Sequence, residues 1–130
     1  MSGSVSSRPE DGAPLRIWDV ARLWDLARDL PVERVPLEEF TDLDRVGWHG
    51  TPENYGRLTV RELVEHARRI ERASFDHPVI LSADGHLLDG FHRLAKAHLL
   101  GMTHLDAVRF PSDPEPDRLR PMPAWLEATL

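Results

Sequence analysis

The strongest constraint on how this chain folds is the run from His77 to Gly101, where the side-chain period changes once and abruptly. Val79-Ile80-Leu81 is a short aliphatic, β-branched run, the composition of a strand. Ala83-Asp84-Gly85 closes it with a hairpin signal, and His86-Leu87-Leu88 returns as a second strand. Asp89-Gly90 ends that strand. The residues beyond follow a helical pattern up to Gly101, the residue type favoured just past a helix end. The reading is strand, tight turn, strand, glycine, helix.

A glycine where a helix begins has a chemical use. The first N–H groups of a helix lack internal partners and carry the positive end of its dipole. A residue without a Cβ lets another group approach them. His92, Arg93 and Lys96 follow within the first turn or so, at i, i+3 and i+4 spacings that let them share one rim. Gly90 and the amides of Phe91, His92 and Arg93, with the His92, Arg93 and Lys96 side chains as cations or potential cations, therefore form a candidate phosphate site. The plainer alternative is that Arg93 and Lys96 are solvated helix charges and His92 a capping side chain.

Leu88-Asp89-Gly90-Phe91-His92-Arg93-Leu94-Ala95-Lys96-Ala97, with Asp84-Gly85 before it and Gly101 after it, resembles the ParB/sulfiredoxin-like fold family. The likeness is to small stand-alone bacterial ParB-like proteins and runs from about Leu23 to about Asp117. It implies an α/β (α+β) fold, a small mixed sheet with packed helices of the ParB N-terminal/sulfiredoxin-like kind. In that family a glycine-x-histidine-arginine element opens a helix and cradles nucleotide phosphates, which maps onto Gly90, His92 and Arg93. In the related free-serine kinases a glutamate near an early extended segment acts as base, so Glu38 and Glu39 become candidates. Ordinary solvation of two adjacent glutamates is the alternative.

Composition narrows the classes. The chain has 130 residues and no cysteine, so it is expected to form one domain, 15–130, without disulfide or zinc staples. A sulfiredoxin-type reductase needs a cysteine where Phe91 stands. The net charge of −6 opposes DNA binding, and the helix-turn-helix domain of DNA-binding ParB relatives is not expected here. No apolar run is long enough to span a bilayer, and no leader-like order opens the chain, so a cytoplasmic location is expected. No histidine or carboxylate cluster has metal spacing. Asp89 is placed to hold Mg²⁺ or a substrate hydroxyl, or equally to cap the helix it precedes.

Residues 1–14 have little to bury and read as a disordered tail. Leu15 to Trp18 suits an edge strand or a docking segment. Asp19 is a fair N-cap for a helix over Val20 to Leu30, with Val20, Leu23, Trp24, Ala27 and Leu30 on one stripe. Val32 to Phe40 reads as extended, at a sheet edge because of Pro36. The connection from Thr41 to Arg57 carries Trp48, His49 and Tyr55 and reads as a loop folded over the core or over a ligand. Thr59 and Glu62 form a capping box for a helix to about Ala73. Its buried stripe is expected to be Val60, Leu63, Val64, Ala67 and Ile70, with His66 on a neighbouring stripe able to face the site. Met102 to Phe110 holds a strand with Leu105 and Ala107 on one face. Beyond it, 111–123 reads as irregular and proline-rich, with a last turn packing Trp125.

Two functions fit these expectations. One is a nucleotide-dependent phosphotransferase or nucleotide hydrolase acting on a small metabolite. There Arg93 and Lys96 balance charge, Asp89 binds Mg²⁺ or substrate, and His92, Glu38 or Glu39 takes the proton. The other is a non-catalytic nucleotide-binding switch or partition-like module acting through a protein partner. ATP, ADP and CTP are equally compatible with these residues, and a homodimer is left open.

Overall fold

The computed structural model describes residues 4–7, 14–45, 47–48 and 57–121 and shows an α+β fold with two sheets. In chain order the elements are β1 (Ser4–Ser7), β2 (Leu15–Asp19), α1 (Val20–Ala27), β3 (Glu33–Pro36), α2 (Val60–Arg72), β4 (Val79–Leu81), β5 (Leu87–Asp89), α3 (Phe91–Leu99), β6 (His104–Arg109) and β7 (Arg118–Arg120). Two 3-10 turns, Leu37–Glu39 and Thr41–Asp44, follow β3.

The four strand runs around Val35, Val79, Leu87 and Val108 join in one mixed sheet, ordered β3-β6-β4-β5. β6 is antiparallel to β3 and parallel to β4, and β4 and β5 are an antiparallel hairpin. Pro36 lies on the edge strand, where its missing N–H costs no ladder bond. Strand alternation divides the core. Val79, Leu81, Leu87, Leu105 and Ala107 meet Leu94 and Ala97 of α3 on one face. Ile80, Leu88 and Val108 meet Trp18, Leu23 and Ala27 on the other. β4 is therefore apolar at every position because both of its faces are covered.

The second sheet, β1-β2-β7, departs from the sequence reading. Four residues of the stretch read as a disordered tail pair with β2, from Ser4 opposite Asp19 to Ser7 opposite Arg16. Arg118–Arg120, inside the stretch read as irregular, pairs with the other edge of β2. Backbone ladders hold both strands, and a reading based on apolar pattern does not see them. Trp18 is fully buried and its Nε1 donates to the Pro114 carbonyl at 2.9 Å, pinning the following segment. Asp19 makes no side-chain cap. Its amide donates to the Asp117 carboxylate at 2.8 Å, which holds that carboxyl below its usual range.

α2 corrects a second expectation. The capping box forms, with the Glu62 amide donating to Thr59 Oγ1 at 3.1 Å. The apolar stripe does not bury: Val60, Leu63 and Val64 are 81%, 58% and 42% exposed, and no residue of α2 is buried. α3 already covers that face of the sheet, so α2 packs on α3 as an outer layer, through the flank that carries His66. With so little tertiary support, local capping carries weight. Thr59→Ala is expected to cost about 1 kcal/mol, confined to α2. Hydrogen exchange should show faster α2 amides with β4 and β6 unchanged. Expectations for His49 and Tyr55 and for the Trp125 turn lie outside the described residues.

Candidate functional site at the start of α3

Gly90 joins β5 to α3 with φ +116°, which L side chains rarely adopt. A Cβ there would lie 2.4 Å from Val79 Cγ1, so the glycine is needed for close packing on β4. The first bond into the helix runs from the Leu94 amide to the Gly90 carbonyl at 2.9 Å. The amides of Phe91, His92 and Arg93 find no acceptor among the described residues, at the positive end of the helix dipole.

Arg93 does not join that rim. Its Nη1 donates to the carbonyls of His77 and Pro78, both at 2.7 Å, and its Nη2 to Asp89 Oδ2 at 3.1 Å. The same Asp89 oxygen accepts from Trp24 Nε1 at 3.1 Å, and the guanidinium lies 5.5 Å over the Trp24 ring. Burial pulls the Arg93 pKa down, and the Asp89 carboxylate opposes that. Asp89 thus makes no cap to α3, and its Oδ2 is committed to Arg93 and Trp24. It holds Arg93 and Trp24 together.

Lys96 also turns away. Its ammonium donates to the carbonyls of Glu71 and Ala73 at 2.8 and 2.7 Å, capping the C-terminal end of α2. The expected rim of His92, Arg93 and Lys96 therefore does not form. The carbonyls before β4 and those ending α2 need donors, and these two cations, on a helix packed between both elements, supply them.

His92 is the one of the three left in the first turn. Its Nε2 lies 2.9 Å from Nδ1 of His66, across from α2. Trp48 stacks on both imidazoles, with centroids 4.5 Å from His66 and 4.9 Å from His92, and meets Phe91 edge-on. Burial, then the neighbouring His66 and Arg69, push the His92 pKa down to about 4. Burial and Arg69 lower His66 as well, against Glu62. Near pH 7 both rings are neutral, sharing one hydrogen bond.

Glu38 and Glu39 stand exposed on the 3-10 turn after β3, and no hydrogen bond or ion pair among the described residues links them to α3. Arg109 pairs across the sheet with Glu33 at 3.7 Å. From the sequence His66 was able to face the site and Trp48 lay in a loop folded over the core or over a ligand; their mutual stacking had no signal. The Trp24–Asp89 bond, 65 residues apart, had none either. Among the described residues no group of three or more His, Asp or Glu side chains is arranged to hold a metal, and no helix is long and apolar enough to cross a membrane. No family model, curated protein or solved structure matches this chain, so the reading of its function rests on the residues around α3.

Proposed function

We propose that this protein is a nucleotide-binding module of the ParB-like kind that takes the phosphates of ATP, ADP or CTP at the N-terminus of α3. The observation that carries this reading is the set of three amides, Phe91 to Arg93, that have no acceptor among the described residues, beside Gly90. Such an end binds anions by oriented N–H groups and dipole together. His92 adds one side-chain group at the same turn.

Within this reading, binding without catalysis is favoured over phosphoryl transfer. Transfer asks for cations on the migrating group and for a carboxylate to hold metal or substrate. One oxygen of Asp89 and the cationic heads of Arg93 and Lys96 are engaged inside the fold. The protein then acts through a partner that reads the occupied state.

Amide NMR titration with each nucleotide, with and without Mg²⁺, tests this directly. Shifts are expected at Phe91, His92 and Arg93, with His92→Gln weakening affinity by about 1 kcal/mol, roughly fivefold. Shifts confined to other segments would place the ligand elsewhere. A phosphorylated metabolite or released phosphate in parallel phosphorus spectra would restore the phosphotransferase reading.

A further inference from the structure

α2 is fastened to the body through one flank. Its apolar stripe is exposed and none of its residues is buried. At its end Lys96 holds the carbonyls of Glu71 and Ala73. At its middle, His66 and His92 meet edge to edge at 2.9 Å, with Trp48 lying over both rings at interplanar angles of 23° and 22°. We propose that the His66–His92 pair beneath Trp48 is a proton-operated clasp, which fastens α2 to α3 until both imidazoles are charged and then releases it. The device does not depend on what α3 binds.

Proton counting gives the mechanism. Two neutral imidazoles carry two protons on four nitrogens, and one of these protons sits between the rings. A third proton goes to an outer nitrogen and turns the bridge into an imidazole–imidazolium bond, in which donor still meets acceptor while burial and Arg69 disfavour the charge. The Trp48 face accommodates that single cation. A fourth proton places N–H on both facing nitrogens, so donor meets donor and two like charges stand in contact. At that point the bridge is repulsive.

The surrounding charges set the range. On α2, Arg69 disfavours protonation of both rings and Glu62 favours that of His66. On α3, Arg93 and Lys96 are directed to other partners, and Trp48 and Phe91 bring no charge. Burial holds both rings below the ordinary value of 6.5, His92 at about 4. A released α2 frees rings that titrate near their ordinary value, so the released state binds more protons throughout this interval. The clasp therefore weakens as pH falls from about 6.5 toward about 4.

Hydrogen exchange on the full chain between pH 7 and pH 4.5, corrected for intrinsic rates, reads this out. Protection of α2 amides is expected to fall about tenfold or more, while β4 and β6 keep theirs. Imidazole resonances of His66 and His92 should move over the same range. His66→Gln keeps an amide that can bond His92 but removes one of the two titrating rings, so the fall in α2 protection with pH should be clearly smaller than in the wild type, with only the buried His92 left to titrate. Should that variant lose α2 protection already at pH 7, the pair is shown to be the fastening, and wild-type co-titration still decides the proton step. Constant α2 protection, loss shared equally with β4 and β6, or a pH dependence undiminished in His66→Gln would each overturn the proposal.

Discussion

Replacing Arg93 by alanine is expected to lower the free energy of unfolding by about 3–5 kcal/mol. The Arg93 side chain is 12% exposed, and its guanidinium serves three acceptors at once, the carbonyls of His77 and Pro78 and the carboxylate of Asp89. Removing it leaves Asp89, 17% exposed, as an uncompensated charge beside Trp24, and strips two carbonyls of their donor. Lysine cannot make good the loss, because a single ammonium lacks the planar fork that reaches three oxygens. Arg93→Lys should therefore recover only part of it. Urea denaturation followed by tryptophan fluorescence gives the numbers. Pairing Arg93→Met with Asp89→Asn separates charge from packing: the double variant should be more stable than the sum of the two single losses predicts, since it leaves no orphaned charge. A loss below about 1 kcal/mol for Arg93→Ala would show that the pair is solvated rather than structural.

The contrast with the anion-site expectation for Arg93 shows where a sequence is legible. The hairpin at 79–89, the glycine and the helix up to Gly101 were readable because each depends on neighbours within four residues. The division of Val79, Ile80 and Leu81 between two core faces follows from strand alternation alone. The destinations of Arg93 and Lys96 did not follow. Spacing along α3 says which residues share a face. It does not say which carbonyls the turn at His77-Pro78 and the end of α2 bring to that face. The α2 stripe misled for a related reason: amphipathicity marks a helix that has an apolar side, and whether the sheet has room for that side is decided by α3 getting there first. His66 and Trp48 show the opposite case. The pattern left their roles open, and the fold brings them to the same turn as His92.

Gly90→Ala is expected to cost about 3–5 kcal/mol, from two sources that act together. A non-glycine residue held at a disfavoured positive φ carries about 1–3 kcal/mol of backbone strain, and φ here is +116°. Overpacking a filled core adds about 2 kcal/mol, and the new Cβ would sit 2.4 Å from Val79 Cγ1 and 2.8 Å from Val79 Cβ. Val79 is fully buried in β4 and cannot swing aside. Gly101→Ala is the matched control. It also has a positive φ, +71°, but its Cβ would meet nothing within 4 Å, so only a backbone cost of about 1 kcal/mol remains. At about 4 °C per kcal/mol for a chain of this size, the melting points of the two variants should stand roughly 8–16 °C apart. Val79→Ala added to Gly90→Ala should return part of the loss, because it removes the 2.4 Å overlap and leaves the 2.8 Å one. Equal melting points for Gly90→Ala and Gly101→Ala would mean that β5 and α3 can separate from β4 without penalty, and that Gly90 serves the turn alone.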